Sequence, residues 1–139
     1  MAEKERIQAL VIDDEEVMRQ YLKDVLEWSG FAVTLCRDGG DGLKRFYDRR
    51  YDIVITDLVM PGTDGVEAIV AMRRVFPPVP IVAMSGADAR KTLLKVADRF
   101  HADATLQKPF TRQELMEAIE RALGMSADTA AADGAVREG

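Results

Sequence analysis

The chain has 139 residues, of which 47% are hydrophobic and 31% charged, and its formal net charge is -5 with a sequence pI of about 4.9. This length suits one domain that sustains its own core, and the acidic balance disfavours nonspecific binding to nucleic acid or to an anionic membrane surface. Cys36 is the only cysteine, which excludes an internal disulfide and a multi-cysteine metal site. A reducing, cytoplasmic setting is expected from this cysteine usage, and no apolar run approaches the ~20 residues that span a bilayer.

Strands and helices are predicted to alternate along the chain. Short apolar or alternating runs predict five strands, at 7–12, 31–36, 53–57, 81–84 and 104–107. Apolar residues at helical spacing predict five helices, at 15–29, 38–50, 64–75, 88–100 and 111–123. Thr111 and Glu114 have the spacing of a capping box at the start of the last helix. From residue 125 onward there is almost nothing to bury, which predicts a domain over 6–124 and a disordered, Ala- and Gly-rich tail over 125–139.

This alternation predicts an α/β protein with a parallel five-stranded sheet. The expected architecture is a doubly wound (βα)5 three-layer sandwich of the flavodoxin-like type. Three strands are uniformly apolar and belong inside the sheet, whereas the mixed strands 31–36 and 104–107 belong at its edges. The natural strand order is therefore 2-1-3-4-5. Ligands of such folds bind beyond the carboxyl ends of the strands, where the winding reverses.

Polar residues follow the carboxyl ends of four predicted strands, and these ends share one rim of the sheet. The first strand delivers Asp13 and Asp14, the third Asp57, the fourth Ser85 and the fifth Lys108. Three converging carboxylates repel one another, and a divalent cation that prefers oxygen ligands, Mg²⁺ first, resolves the repulsion. Lys108 and the Ser85 hydroxyl can then bind phosphoryl oxygens, and an ionised Asp57 can attack phosphorus to form an aspartyl phosphate.

At these residues the chain resembles the receiver domain of two-component response regulators, the CheY-like family. The resemblance covers roughly 6–123. The matching segments are Leu-Val-Ile-Asp-Asp at 10–14, Asp-Leu-Val-Met-Pro-Gly-Thr-Asp-Gly at 57–65, Met-Ser-Gly at 84–86 and Lys-Pro-Phe at 108–110. Together these segments are highly specific to that family.

The resemblance implies a phosphoacceptor switch rather than an enzyme. Asp57 would accept a phosphoryl group from a phosphohistidine on a sensor histidine kinase or a phosphotransfer protein. Asp14, Asp57 and the backbone carbonyl of Val59 would hold Mg²⁺, and Asp13 would act on the ion directly or through water. Lys108 would bind the phosphoryl group, and its bond to the following proline is cis in many members of the family.

The switch that follows phosphorylation is also implied by the resemblance. Ser85 would move toward the phosphoryl group, and Thr105 stands at the second switch position, where many receivers have Tyr or Phe. Val59 and Ala87 are apolar at positions that influence how water reaches the aspartyl phosphate, so autodephosphorylation should not be fast. The face over roughly 88–123 is where members usually bind partners. The expected partners are a kinase and a downstream protein target, without nucleic acid or membrane, for a monomer or a phosphorylation-dependent homodimer.

The main alternative is a magnesium-dependent phosphatase with an aspartate nucleophile, of the haloacid dehalogenase type. That family has Asp-x-Asp where this chain has Asp13-Asp14-Glu15, and 139 residues leave no room for its cap domain. A flavodoxin-like electron carrier would have a hydroxyl-rich phosphate loop after the first strand, where this chain has Asp13-Asp14-Glu15-Glu16. A calcium EF-hand would have an Asp-rich loop that this sequence lacks. His101, near a predicted helix end, and Cys36, at the end of an edge strand, are interpreted as structural residues.

Overall fold

The structure, a computed structural model, describes residues 6–58, 65–86 and 102–124. The predicted helix at 88–100 and the predicted tail at 125–139 lie outside these ranges, as do Val59, Ala87 and His101. Within the described ranges, no helix combines the length and the apolar character needed to cross a membrane.

The described elements alternate as the sequence predicts. The strands are β1 (Gln8–Ile12), β2 (Ala32–Cys36), β3 (Ile53–Asp57), β4 (Ile81–Ser85) and β5 (Ala104–Gln107). The helices are α1 (Glu16–Trp28), α2 (Gly39–Asp48), α3 (Gly65–Val75) and α4 (Arg112–Ala122). All neighbouring strands are parallel and their order is β2-β1-β3-β4-β5, which confirms the predicted fold class, strand order and edge strands.

The sheet separates two hydrophobic clusters, one on each face. Successive side chains of a strand point to opposite faces, so Val11 and Ile55 pack against α1 and α4, whereas Leu10 and Val54 pack against α2 and α3. Every residue of β3 and β4 is buried because both faces of these strands are covered. The three layers follow from this double burial.

Two helix ends are capped by side chains that the local sequence supplies. The Asp38 carboxylate accepts a hydrogen bond from the Asp41 N–H at 2.8 Å at the start of α2. At the start of α4, the Thr111 hydroxyl accepts from the Glu114 N–H at 3.0 Å, and the Glu114 carboxylate accepts from the Thr111 N–H at 2.7 Å. The predicted capping box is thus present, and it fixes the helix that follows β5.

In the four described helices, the predicted faces are right except at three positions. Tyr21 was expected on the apolar stripe of α1, but 36% of Tyr21 is exposed. Tyr47 was expected to face the core beside Phe46, but 56% of Tyr47 is exposed. Val70 was expected inside beside Ile69 and is only half-buried, whereas Met72, which the sequence interpretation omitted, is fully buried. Neighbouring residues of a helix lie about 100° apart, so only one of each pair points straight at the sheet.

The strand register brings the carboxyl ends of the strands to one rim. Asp57 pairs with Met84, and Ser85 pairs with Gln107. The hydrogen-bonded ladder continues past the strand ends, because the Asp13 N–H donates to the Cys36 carbonyl at 3.1 Å and the Lys108 N–H donates to the Ser85 carbonyl at 2.7 Å. The predicted site residues are therefore held by the backbone of the sheet itself.

Candidate functional site

Lys108 is the centre of a cluster of carboxylates at the rim of the sheet. Its Nζ lies 2.8 Å from Asp13 Oδ2, 3.1 Å from Asp57 Oδ2 and 3.1 Å from Glu15 Oε1. The lysine approaches from β5, across the end of β4, to reach residues that follow β1 and β3. The cluster therefore joins residues from strands that are far apart in sequence, as the predicted topology requires.

The carboxylates differ in how firmly they are held. Asp13 is fully buried and Asp57 is 6% exposed, whereas Asp14 and Glu15 face solvent. Asp13 Oδ1 also accepts the Glu15 N–H at 2.8 Å, and Arg19 donates to the Asp13 carbonyl at 2.8 Å. Asp13 is therefore fixed by the loop that joins β1 to α1, on both its side chain and its backbone.

Burial and pairing act in opposite directions on the charged groups. Burial raises the pKa of Asp13, because desolvation penalises the carboxylate more than its bond to Lys108 stabilises it. Burial also penalises the ammonium of Lys108, but its hydrogen bonds and charge interactions with Asp13 and Asp57 outweigh this and raise the pKa of Lys108 above its usual value. Lys108 is therefore a permanent cation at the rim.

The carboxylates of Asp13, Asp14 and Asp57 fit a divalent metal ion. One oxygen from each lies within 4.8 Å of the others. A purely oxygen donor set that includes a solvent-facing carboxylate is what Mg²⁺ prefers, because this ion keeps several waters. Val59, whose carbonyl is another predicted ligand, lies outside the described residues.

The two predicted switch residues lie on the neighbouring strands β4 and β5, Ser85 at the rim and Thr105 further from it. Ser85 is fully buried at the end of β4, where its hydroxyl donates to the Gly86 carbonyl at 3.1 Å. Thr105 is half-buried in β5 opposite Ala83, three residues before Lys108. Thr105 and Ala83 are on the α2–α3 face of the sheet, because the flanking Ala104 and Leu106 pack on the other face.

Sequence reasoning missed two residues of the site. Glu15 was interpreted only as an acidic residue at a helix start, yet it binds Lys108. Gly65, the first residue of α3, lies so close to the backbone of Asp57 and Leu58 that a Cβ there would meet the Asp57 carbonyl oxygen. The signal for Glu15 was its place directly after Asp13-Asp14, and the signal for Gly65 was a glycine opening a helix eight residues after the strand end.

The fold and the site define a parallel α/β protein with an acidic, lysine-containing centre at the carboxyl rim. The model of the response regulator receiver domain family matches residues 9–120. The response regulator MprA of Mycobacterium sp. (strain KMS) is 32% identical over 110 residues, which are 79% of this chain and 47% of that protein. The DNA-binding transcriptional regulator NtrC of Azospirillum brasilense is 33% identical over 122 residues, 88% of this chain and 25% of that protein.

A similar solved structure is a response regulator receiver domain protein from Clostridium thermocellum. It has a TM-score of 0.78 and 30% identity, with 84% of this chain and 94% of that chain covered. The chain therefore belongs to the response regulator receiver domain family. Such domains are parts of two-component systems and act in general as signalling switches rather than enzymes. This chain spans about half or less of the length of the two curated relatives described above.

Proposed function

We propose that this chain is the phosphoacceptor of a two-component phosphorelay, with Asp57 as the residue that is phosphorylated. The observation that carries the proposal is the pair formed by Asp57, which is 6% exposed, and Lys108, whose Nζ lies 3.1 Å from Asp57 Oδ2. A carboxylate held at the end of a central strand beside a fixed cation has the position and the charge that acceptance of a phosphoryl group needs.

The proposed phosphodonor is a phosphohistidine on a sensor kinase or a phosphotransfer protein. A carboxylate oxygen of Asp57 attacks phosphorus, and the bond between phosphorus and the histidine nitrogen breaks. That nitrogen keeps the electron pair and takes a proton from solvent. Lys108, already 2.8 to 3.1 Å from its carboxylate partners, stabilises the negative charge on the phosphoryl oxygens.

Asp13, Asp14 and Asp57 are the residues that would hold Mg²⁺, together with the proposed carbonyl ligand of Val59. When bound, Mg²⁺ neutralises charge on the phosphoryl oxygens and on the clustered carboxylates. The Asp13 carboxylate is held at Oδ1 by the Glu15 N–H and at Oδ2 by Lys108, so Asp13 would help to hold the ion from a position that the loop already fixes.

The proposed output is a change at the face formed by β5, α4 and the residues between β4 and β5. Ser85 would exchange the Gly86 carbonyl for a phosphoryl oxygen, and Thr105 in the adjacent strand would respond without the aromatic ring found in many receivers. A domain over 6–124 with a tail over 125–139, a downstream protein target and a cytoplasmic location complete the proposal. The oligomeric state stays open between a monomer and a phosphorylation-dependent homodimer.

The test is incubation with acetyl phosphate in the presence and absence of Mg²⁺, followed by intact-protein mass spectrometry. The wild-type chain should gain one phosphoryl group only with Mg²⁺. Asp57→Asn should gain none, whereas Asp48→Asn, which neutralises an exposed aspartate at the end of α2, should behave like the wild type. A phosphoryl group that persists in Asp57→Asn would overturn the proposal.

A second outcome separates the switch from the phosphatase considered above. A phosphatase would consume many equivalents of acetyl phosphate through a steady turnover. A phosphoacceptor instead accumulates one equivalent of aspartyl phosphate, which hydroxylamine cleaves. Sustained turnover without an adduct at Asp57 would contradict the proposal.

A further inference from the structure

Glu15 is at the N-cap of α1, yet its side chain does not cap the helix. Its backbone has the extended N-cap conformation, with φ -91° and ψ 120°, and the side chain makes no capping hydrogen bond. Asp38 and Thr111, at the corresponding positions of α2 and α4, both cap their helices. The Glu15 carboxylate instead reaches Lys108, with Oε1 3.1 Å from Nζ.

An ammonium group has three N–H donors, and Lys108 has three carboxylate partners. The partners are Asp13, Asp57 and Glu15. A phosphoryl oxygen that binds Lys108 must therefore replace one of them. In the proposed function Asp57 carries the phosphoryl group, so its own contact with Lys108 passes to one phosphoryl oxygen, and a second phosphoryl oxygen can reach Lys108 only in place of Asp13 or Glu15. Asp13 is fully buried, and an unpaired buried carboxylate is costly, whereas the Glu15 side chain is 62% exposed and regains water when it leaves.

We propose that Glu15 is a positioning residue that occupies the third donor of Lys108 in the resting state and gives it up to an arriving phosphoryl group. The proposal rests on the proposed function of Asp57 as phosphoacceptor. Glu15 thereby competes with the phosphoryl oxygens for Lys108 and lowers the affinity of the site for them. Removing its charge while keeping its shape should strengthen phosphoryl binding.

The experiment is titration with beryllofluoride, a phosphoryl analogue, at saturating Mg²⁺. Glu15→Gln should bind beryllofluoride roughly two- to fivefold more tightly than the wild type, which is the range expected from an exposed ion pair. Glu16→Gln is the matched control, because Glu16 is the neighbouring exposed carboxylate in the first turn of α1. Its affinity should equal that of the wild type.

Raised salt and a Lys108→Ala background distinguish competition for the Lys108 donor from a long-range effect of the Glu15 charge. Screening weakens a long-range charge effect, whereas competition for a donor at contact distance persists in 0.5 M salt, where the Debye length is only about 4 Å. In a Lys108→Ala background, Glu15→Gln should leave the residual affinity unchanged, because the shared donor is gone.

The inference would be overturned by an unchanged affinity of Glu15→Gln, by equal tightening in Glu15→Gln and Glu16→Gln, or by the same gain without Lys108. A weaker affinity of Glu15→Gln would also overturn it, because Glu15 would then support the ligand instead of competing with it. Failure of the proposed function has a different signature. Beryllofluoride would then bind the wild type and Asp57→Asn equally, whatever residue stands at position 15.

Discussion

Gly65 is a position where one added methyl group should directly disturb Asp57, the proposed phosphoacceptor. A Cβ at Gly65 would meet the carbonyl oxygen of Asp57 and lie 2.7 Å from the Cα of Leu58. These are backbone atoms, so no side-chain rotation relieves the contact. The Asp57 carbonyl also accepts the Thr56 hydroxyl at 3.0 Å, and the Gly65 N–H donates to the Leu58 carbonyl at 3.2 Å. Gly65→Ala must therefore separate the start of α3 from the end of β3.

The size of the effect follows from two opposing contributions. Overpacking a tightly filled site costs about 1 to 3 kcal/mol, and a backbone partner places Gly65→Ala at the upper end of this range. The better helix propensity of alanine returns less than about 1 kcal/mol at a first helical position. We expect a net loss of about 2 kcal/mol in the free energy of unfolding. For a domain of this size, that loss lowers the melting temperature by about 6 to 10 °C.

The assays are urea denaturation and the rate of Asp57 phosphorylation by acetyl phosphate. Gly65→Ala should lower both the stability and the phosphorylation rate, because the displaced Asp57 no longer lies at contact distance from Lys108. Gly86→Ala is the control, because a Cβ there meets no described residue within 4 Å and Gly86 does not adopt a positive φ. Its stability should stay within about 0.5 kcal/mol of the wild type. Equal stability and equal rates in Gly65→Ala and Gly86→Ala would refute the steric reasoning.

Three further predictions concern the charged centre, the buried thiol and the last helix. Lys108→Ala leaves Asp13 without its ammonium partner and should lower the free energy of unfolding by about 3 kcal/mol in EDTA, with most of the loss recovered in Mg²⁺. A melting temperature of this variant that is the same with and without Mg²⁺ would contradict this. Burial, together with the nearby charge of Asp41, raises the pKa of the Cys36 thiol from 9.0 to about 12. The free energy of unfolding should therefore fall as the pH rises from about 9 toward 12, by at most about 4 kcal/mol. Cys36→Ala should flatten this pH dependence in urea titrations. Thr111→Ala removes one hydrogen bond of the capping box and should cost about 1 kcal/mol without changing phosphorylation, which a phosphorylation defect would disprove.

The fold was predictable because burial on both faces leaves a plain signal in the sequence. The runs Ile53–Ile55 and Ile81–Met84 are apolar without alternation, and both prove to be fully buried central strands. The mixed runs at 32–36 and 104–107 are the edge strands. The strand order then follows, and with it the meeting of Asp13, Asp57 and Lys108 at one rim.

What the sequence could not predict depends on distances between elements. The turn of the Glu15 side chain away from its own helix is decided by Lys108, which is 93 residues later in the chain. The crowding at Gly65 is decided by how closely α3 begins to the end of β3. Periodicity also failed to choose between adjacent helix residues such as Phe46 and Tyr47, because it locates a stripe and not its centre.

The clustered charges at the rim contribute little to the stability of this domain. Substitutions there should therefore change ligand binding more than they change packing. Three carboxylates, those of Asp13, Glu15 and Asp57, contact one ammonium, and a fourth, that of Asp14, has an oxygen within 4.8 Å of oxygens of Asp13 and Asp57. Buried charges of this kind rarely stabilise a fold relative to apolar residues, so the central strands and the two hydrophobic clusters must hold the domain together. In the proposed function, the excess negative charge would favour binding of a cation, and Lys108 would favour binding of the oxygens of a phosphoryl group. Substitutions in the clusters should therefore change stability in Mg²⁺ and in EDTA alike, whereas substitutions at the rim should change chiefly the difference between the two.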